Sequence, residues 1–343
     1  MINMKKIVNS LCVNINKNNI NGVFSISDTK IFYKILSDQE YLMEKRGYQS
    51  IKNEYKVPEK IFEIDNNNII GYEFYDKSEL LISYFIKNKQ ITKEYEDLLK
   101  IFKNVFCKTI DYSYSDNSHI FFEDRLNTRL KKNVSFSLNK YSNKTFNINK
   151  HKIDMDILQI NNEIITFFNK KGRKWNVVSQ CDPNDLNICI DGTIFDYTAG
   201  GQTPLMAEFA VFTCYNLIQG EYLSLKYNKK AFSNYKEIYD FASDYNIKNN
   251  IITYKIRKIR LDAVLKYIDY VIVPILEKID YSDWYTDFKN YFVMKLLAVF
   301  DFSLMDDKDV ILSLVYANLF YNKKIHTIDE LKKFIKEVFQ CYN

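Results

Sequence analysis

Apolar positions alternate early in the chain and recur at three- and four-residue spacing later, so the sequence opens strand-rich and continues helix-rich. Residues 7–36 hold three β-like runs, IVNSLCVNI, GVFSIS and KIFYKIL, parted by Asn-rich and Ser-Asp turns, which predicts a meander. The charged stretch from Asp38 to about Asn53 carries Tyr41, Leu42, Tyr48 and Ile51 at helical spacings and predicts a helix ending before Val57-Pro58. Two further strands, KIFEI and IIGYEFY, flank a turn at 65–68. From Lys77 the pattern predicts helices over 77–88, 92–108, 154–171 and 204–219, then several from about 232 to the end. One β-like island interrupts them: WNVVSQ (175–180), NICI (187–190) and TIF (193–195). The stretch 127–151, rich in Asn, Lys and Ser, predicts a surface insertion or loop. The expectation is an α+β chain in two lobes: residues 1–75 a small β-rich lobe with one helix, and 76–343 a larger, mostly helical lobe.

Composition narrows the class. The chain has 343 residues, 47% hydrophobic and 16% aromatic, enough to bury more than one core and unlike a disordered segment. Its net charge of +5 is small, and 48 basic residues are interspersed with 43 acidic ones, so no nucleic-acid stripe is indicated. Six cysteines (Cys12, Cys107, Cys181, Cys189, Cys214, Cys341) are scattered without a CxxC pair, among only three histidines, which argues against a zinc site or disulfide framework. The N-terminus lacks a secretory apolar core and YVIVPIL (270–276) is too short to span a bilayer, so no membrane is implied and a cytoplasmic location is expected. Oligomeric state leaves no mark in the sequence.

Residues 175–225 contain no Lys or Arg, yet they carry Asp182, Asp185, Asp191, Asp196, Glu208 and Glu221. Such a run suits a bound cation or, equally, a solvated acidic face. Within it, Asp191-Gly192 signals a two-residue hairpin turn that would set Asn187 opposite Asp196, their Cβ atoms about 5 Å apart; a three-residue loop with a bulge would shift that pairing. One hard cation, Mg²⁺, could then take an oxygen from each; the same pair also fits a capped polar strand end. Asp182 lies five positions before Asn187, at the mouth of the hairpin, where a carboxylate can accept a hydroxyl proton. Asp182 and Asp185 around Pro183 also fit ordinary turn chemistry. Cys181 is set aside as a nucleophile, because acidic surroundings raise a thiol pKa and no histidine is near in sequence.

The order QCDPNDLN, a short hairpin, FDYTAGG, then Pro204 and Glu208 resembles the aminoglycoside phosphotransferase and choline kinase group of the protein-kinase-like superfamily. The resemblance implies a two-lobed protein-kinase-like fold and phosphoryl transfer from ATP or GTP to the hydroxyl of a small molecule, with Mg²⁺. It implies Asp182 as base, Asn187 and Asp196 as metal ligands, and Glu208 as a structural acid on the helix that follows. Thr203 and Pro204 would start that helix and Gly220 would end it. In the first lobe it implies Lys34 on the third strand as the phosphate-contacting lysine. Glu44 would be its partner, with Glu40 as a rival. The segment Tyr72, Glu73 and Phe74 is implied as the hinge that holds a purine through its backbone. The turn NING (19–22) could cover phosphates, though it has a single glycine.

Two positions depart from the pattern: Gln180 stands where the family has histidine, with an amide that can still brace the loop, and Thr198 stands where it commonly has glycine. An alternative is therefore a nucleotide-binding pseudokinase acting as an interaction module. A kinase acting on protein is disfavoured by the lack of an A-P-E signature. Acidic residues after 225, namely Asp240, Asp244, Asp262, Asp269 and Asp301, are candidates for an aminoglycoside-like or polyamine-like acceptor, or else solvated faces.

Overall fold

The computed structural model describes residues 20–26, 29–229, 231–232 and 246–342. The predicted strand IVNSLCVNI, Asn19 of the NING turn, and Asp240 and Asp244 lie outside them. A four-stranded antiparallel sheet opens the described chain: β1 (Ile20–Ile26), β2 (Thr29–Ile35), β3 (Lys60–Ile64) and β4 (Ile69–Glu73), in the order β1-β2-β4-β3. The two-residue period of β2 decides its faces. Ile31, Tyr33 and Ile35 pack with Phe62 and Ile69 in a small core of their own, whereas Phe32 and Lys34 line a cleft on the other side. Between β2 and β3 runs α1 (Asp38–Ile51), started by a capping box in which the Ser37 hydroxyl and the Glu40 carboxylate bind each other's end of the chain.

Helices dominate the rest. They include α2 (Leu81–Lys87) and α3 (Lys93–Thr109), then α4 (Asn117–Arg125), which continues through a π-helical turn, Leu126–Leu130, into α5 (Lys131–Tyr141). A hairpin of β6 (Thr145–Ile148) and β7 (His151–Asp154) and then α6 (Ile157–Asn169) follow. The segment 127–151 is thus not a loop. Leu126, Leu130, Val134 and Tyr141 form a sparse buried stripe, and Asn133 at full burial ties the helix to the carbonyls of Leu297 and Phe300. Polar residues that face inward hid this helix from a reading based on apolar period.

A second antiparallel sheet, β5 (Asp111–Ser113), β8 (Lys174–Ser179) and β9 (Gly201–Pro204), carries the island of strand seen in the sequence. β9 passes directly into α7 (Leu205–Cys214), so Pro204 is the cap residue, with no side-chain capping bond; Thr203 belongs to the strand. Gly220 does not end this helix, which runs on as a π-helical stretch, Tyr215–Leu223, into Ser224–Tyr227. Further along, α8 (Lys258–Tyr267), α9 (Trp284–Ala298), α10 (Asp307–Asn322) and α11 (Ile328–Val338) build the main core with α7. No helix among the described residues is long and apolar enough to cross a membrane.

Candidate active site

Lys34 places its ammonium between two carboxylates, 2.8 Å from Glu44 Oε1 and 2.8 Å from Asp196 Oδ1. Burial alone would lower the lysine pKa, but Asp196 and Glu44 outweigh it and hold Lys34 charged, above its usual range. Glu40, the rival partner, is engaged in capping α1, and Glu44 stands one helical turn further on. Glu44 is fully buried and fully used: Oε1 also accepts from the Tyr72 hydroxyl at 3.0 Å, and Oε2 from Tyr197 N at 3.2 Å and the Thr198 hydroxyl at 2.8 Å. Thr198 Oγ1 also lies 3.4 Å from Asp196 Oδ1, so its one proton is shared, mainly with the nearer Glu44, and the hydroxyl sits between two acids. The rings of Tyr48, Tyr72 and Tyr197 pack edge to face or tilted, 5.2 to 5.6 Å apart, and clamp α1 and β4 to the segment after Asp196.

The chain from β8 to β9 supplies the other groups. Cys181 and Asp196 both adopt left-handed backbone at φ 64° and 60°, conformations that non-glycine residues hold only where surrounding contacts fix them. Asp185 provides one such anchor, as it is buried in an ion pair with Arg260, which also binds Asn216 and lies over the Phe85 ring. Asp185 is therefore a buried structural ion within the turn that Asn187 N closes on Asn184 O. Asp182 Oδ1 accepts from the Lys295 ammonium at 2.8 Å and Oδ2 from the Asn184 amide at 3.0 Å. Asn187 donates to the Asp182 carbonyl at 3.1 Å, and its Oδ1 has no protein hydrogen bond among the described residues. Gln180 does not brace the loop as expected, since neither end of its buried amide has a partner. Ser179 does so instead, accepting from Cys181 N and donating to Glu208 Oε2 at 2.6 Å. The Cys181 thiol is buried and pushed far up by that burial, as a structural cysteine should be.

The hairpin forms with a different register from the one the Asp-Gly pair predicts. Cys189 N donates to Thr193 O, Gly192 N to Cys189 O and Phe195 N to Asn187 O, and the bridge pairs Ile188 with Ile194. Only Gly192 is left-handed (φ 83°), so the loop has three residues, and Asn187 faces Phe195 rather than Asp196. Contacts beyond the hairpin bias it: Asp191 is held by Lys56 and by the Tyr75 hydroxyl, and Ile194 N reaches Lys56 O. Asn187 and Asp196 nevertheless both line one cavity.

Two cavities adjoin at Asp196. The first, of about 520 Å³, is lined by Lys34, Tyr72, Glu73, Phe74, Asn187 and Asp196 among others. The second, of about 530 Å³, is lined by Asp182, Gln180, Arg125 and Asp124, and shares Glu40, Asp196 and Thr198 with the first. The N–H groups of Glu73 and Phe74 are spent within the sheet, on Glu59 O and Lys30 O, while Tyr75 N–H has no hydrogen bond among the described residues. Asp262, Asp269 and Asp301 form ion pairs with Lys258, Lys332 and Lys132 and line neither cavity. Lys295 and Arg125 were not foreseen. The signal for Lys295 was a lone charge inside the apolar run VMKLLAVF; Arg125 had none.

No protein-family model matches the chain, and no curated protein matches it. Solved structures similar to it include a spectinomycin phosphotransferase in complex with ADP and spectinomycin, at 9% identity over 94% of this chain and 91% of that one, with a TM-score of 0.44. Choline kinase LicA from Streptococcus pneumoniae is 11% identical over 86% and 99% of the two chains, with a TM-score of 0.38. A choline/ethanolamine kinase family protein from Mesorhizobium loti is 10% identical over 98% and 97%, with a TM-score of 0.43. At such distance the likeness is one of chain course, and residue roles rest on the cleft itself.

Proposed function

We propose that this chain is a small-molecule kinase, moving the γ-phosphoryl group of ATP or GTP to an acceptor hydroxyl. The observation that supports this most is the Glu44–Lys34–Asp196 chain of charges, set where a cavity large enough for a nucleotide meets a second one holding Asp182. Lys34 binds phosphate oxygens, and Glu44 holds it extended across the cleft. Glu73 C=O and Tyr75 N–H offer a purine one acceptor and one donor. The acceptor oxygen, losing its proton to Asp182, bonds to the γ-phosphorus as the bond to the bridging oxygen breaks and the nucleoside diphosphate leaves. Lys295 and Asn184 orient the carboxylate for that proton.

The donors present fit a hard cation: the Asp196 carboxylate is half exposed on the first cavity, and Asn187 Oδ1 is unengaged beside it. Mg²⁺ held by Asn187 and Asp196 would supply charge neutralisation to the phosphates.

Asp182→Asn tests the reading. Turnover measured as nucleoside diphosphate release is expected to fall about 10²–10⁴-fold, with nucleotide affinity within a few-fold of the parent. Undiminished turnover would exclude Asp182 as base. The unbraced Gln180 favours a second reading, a nucleotide-binding interaction module without chemistry. That reading is favoured if nucleotide binds and no diphosphate is released with any alcohol.

A further inference from the structure

The second cavity carries a guanidinium with no direct partner among the described residues. Most of its acids are occupied: Asp182 by Lys295 and Asn184, Asp196 by Lys34 and Thr198, and Glu40 by Ser37. Asp124 is exposed. Arg125, at the end of α4, is half-buried and makes no ion pair or hydrogen bond among the described residues; its guanidinium lies 5.1 Å from the centre of the Phe121 ring. Arg260, by contrast, has Asp185 and Asn216. A guanidinium cannot shed its charge, and its five N–H donors form a fork that matches a carboxylate or a phosphate. Withdrawing it from water is costly and Arg129 nearby adds repulsion; Asp182 and Asp124 offset part of that cost, yet neither forms an ion pair with it among the described residues. Gln180 lines the same cavity, and neither end of its buried amide has a partner, so it has a donor still to offer.

We infer that the acceptor alcohol carries an anionic group, a carboxylate or a phosphate, which Arg125 receives while Asp182 faces the reacting hydroxyl. The inference rests on the phosphotransferase reading of the same cleft. Arg125 lines the Asp182 cavity and not the one holding Lys34, Glu73 and Asn187, which places its anion on the acceptor side of the transferred group. The cavity volume, about 530 Å³, suits a small molecule. The Phe121 ring, 5.1 Å away, offers the guanidinium a cation–π contact beside the cavity.

The test is calorimetric titration of the whole chain, saturated with Mg²⁺ and a β,γ-imido analogue of ATP so that the phosphate subsites are filled. The probes are glycerate, glycerol 3-phosphate, glycerol and choline. Binding of one of the two anions is expected, with glycerol and choline silent; which anion binds separates a carboxylate site from a phosphate site. In Arg125→Gln that affinity is expected to fall by at least about tenfold, and Arg125→Lys should recover part of it. Nucleotide affinity should stay within about twofold in both variants, which separates an acceptor site from a γ-phosphate contact. Absence of anion binding, equal binding by Arg125→Gln, preference for choline, or a matching loss of nucleotide affinity would each overturn the inference. Failure of the nucleotide analogue itself to bind would instead count against the phosphotransferase reading. The same anion titration on the nucleotide-free protein then still reads Arg125. Equal thermal midpoints of Arg125→Gln and the parent exclude loss through misfolding.

Discussion

Burial pushes the Glu208 carboxyl up to about 7 from its ordinary 4.5; the Ser179 hydroxyl opposes that rise and Asp182 adds to it. Between those two values the folded state keeps a proton that the unfolded chain has lost, so this residue costs stability as pH rises through the window, on the order of 3 kcal/mol at the top of it. Glu208→Gln has the shape of the protonated acid and no such cost. Its urea midpoint relative to the parent is expected to rise with pH across the window and level off above it; parallel curves would contradict the assignment. Such residues were partly legible in the sequence. Glu208 stood out as an acid in the apolar run LMAEFAVF, whereas Lys34 and Glu44 were marked only by the family resemblance, since a strand lysine alone carries no signal. Lys295 did not, because its contact with Asp182 spans 113 positions that only the packing of α9 against α7 and β8 brings together.

At the scale of elements, α1 is set against the Asp196 segment by the absence of a side chain. A Cβ on Gly47 would lie 1.8 Å from the Tyr197 carbonyl oxygen, a backbone atom that cannot step aside. The close approach lets Glu44, less than one turn earlier, reach Lys34, Tyr197 N and Thr198 together. Gly47→Ala is expected to destabilise by about 2–3 kcal/mol in urea unfolding and to weaken nucleotide binding, despite the better helix propensity of alanine. An unchanged or raised midpoint would show that the contact is not tight. Helices and strands of the right kind were legible here, but two geometries were not. The Asp-Gly pair announces a turn, yet whether two or three residues form it depended on Lys56, Tyr75 and Asp191, which local sequence cannot see. The helix around 131–141 was missed because Asn133 and Ser137 face inward and satisfy their hydrogen bonds there.

For the whole molecule, a β-rich part and a helical part both bring charged and polar groups to the cleft: Lys34 and Glu44 from the first, Asp182, Asn187, Asp196 and Lys295 from the second. Neither part holds the whole cluster alone, which is why the sequence could point to two clusters but not to their distance. Joining them makes the charge relay from Glu44 through Lys34 to Asp196 the centre of the account. The most direct measurement is binding of ATP and of GTP, each with Mg²⁺, to the parent and to Lys34→Met, read by calorimetry and by thermal midpoint. The account predicts that at least one triphosphate binds and stabilises the parent by a few kcal/mol at about 100 times its Kd, and that Lys34→Met loses most of this. No binding of either triphosphate to the parent, or equal binding to Lys34→Met, would contradict it.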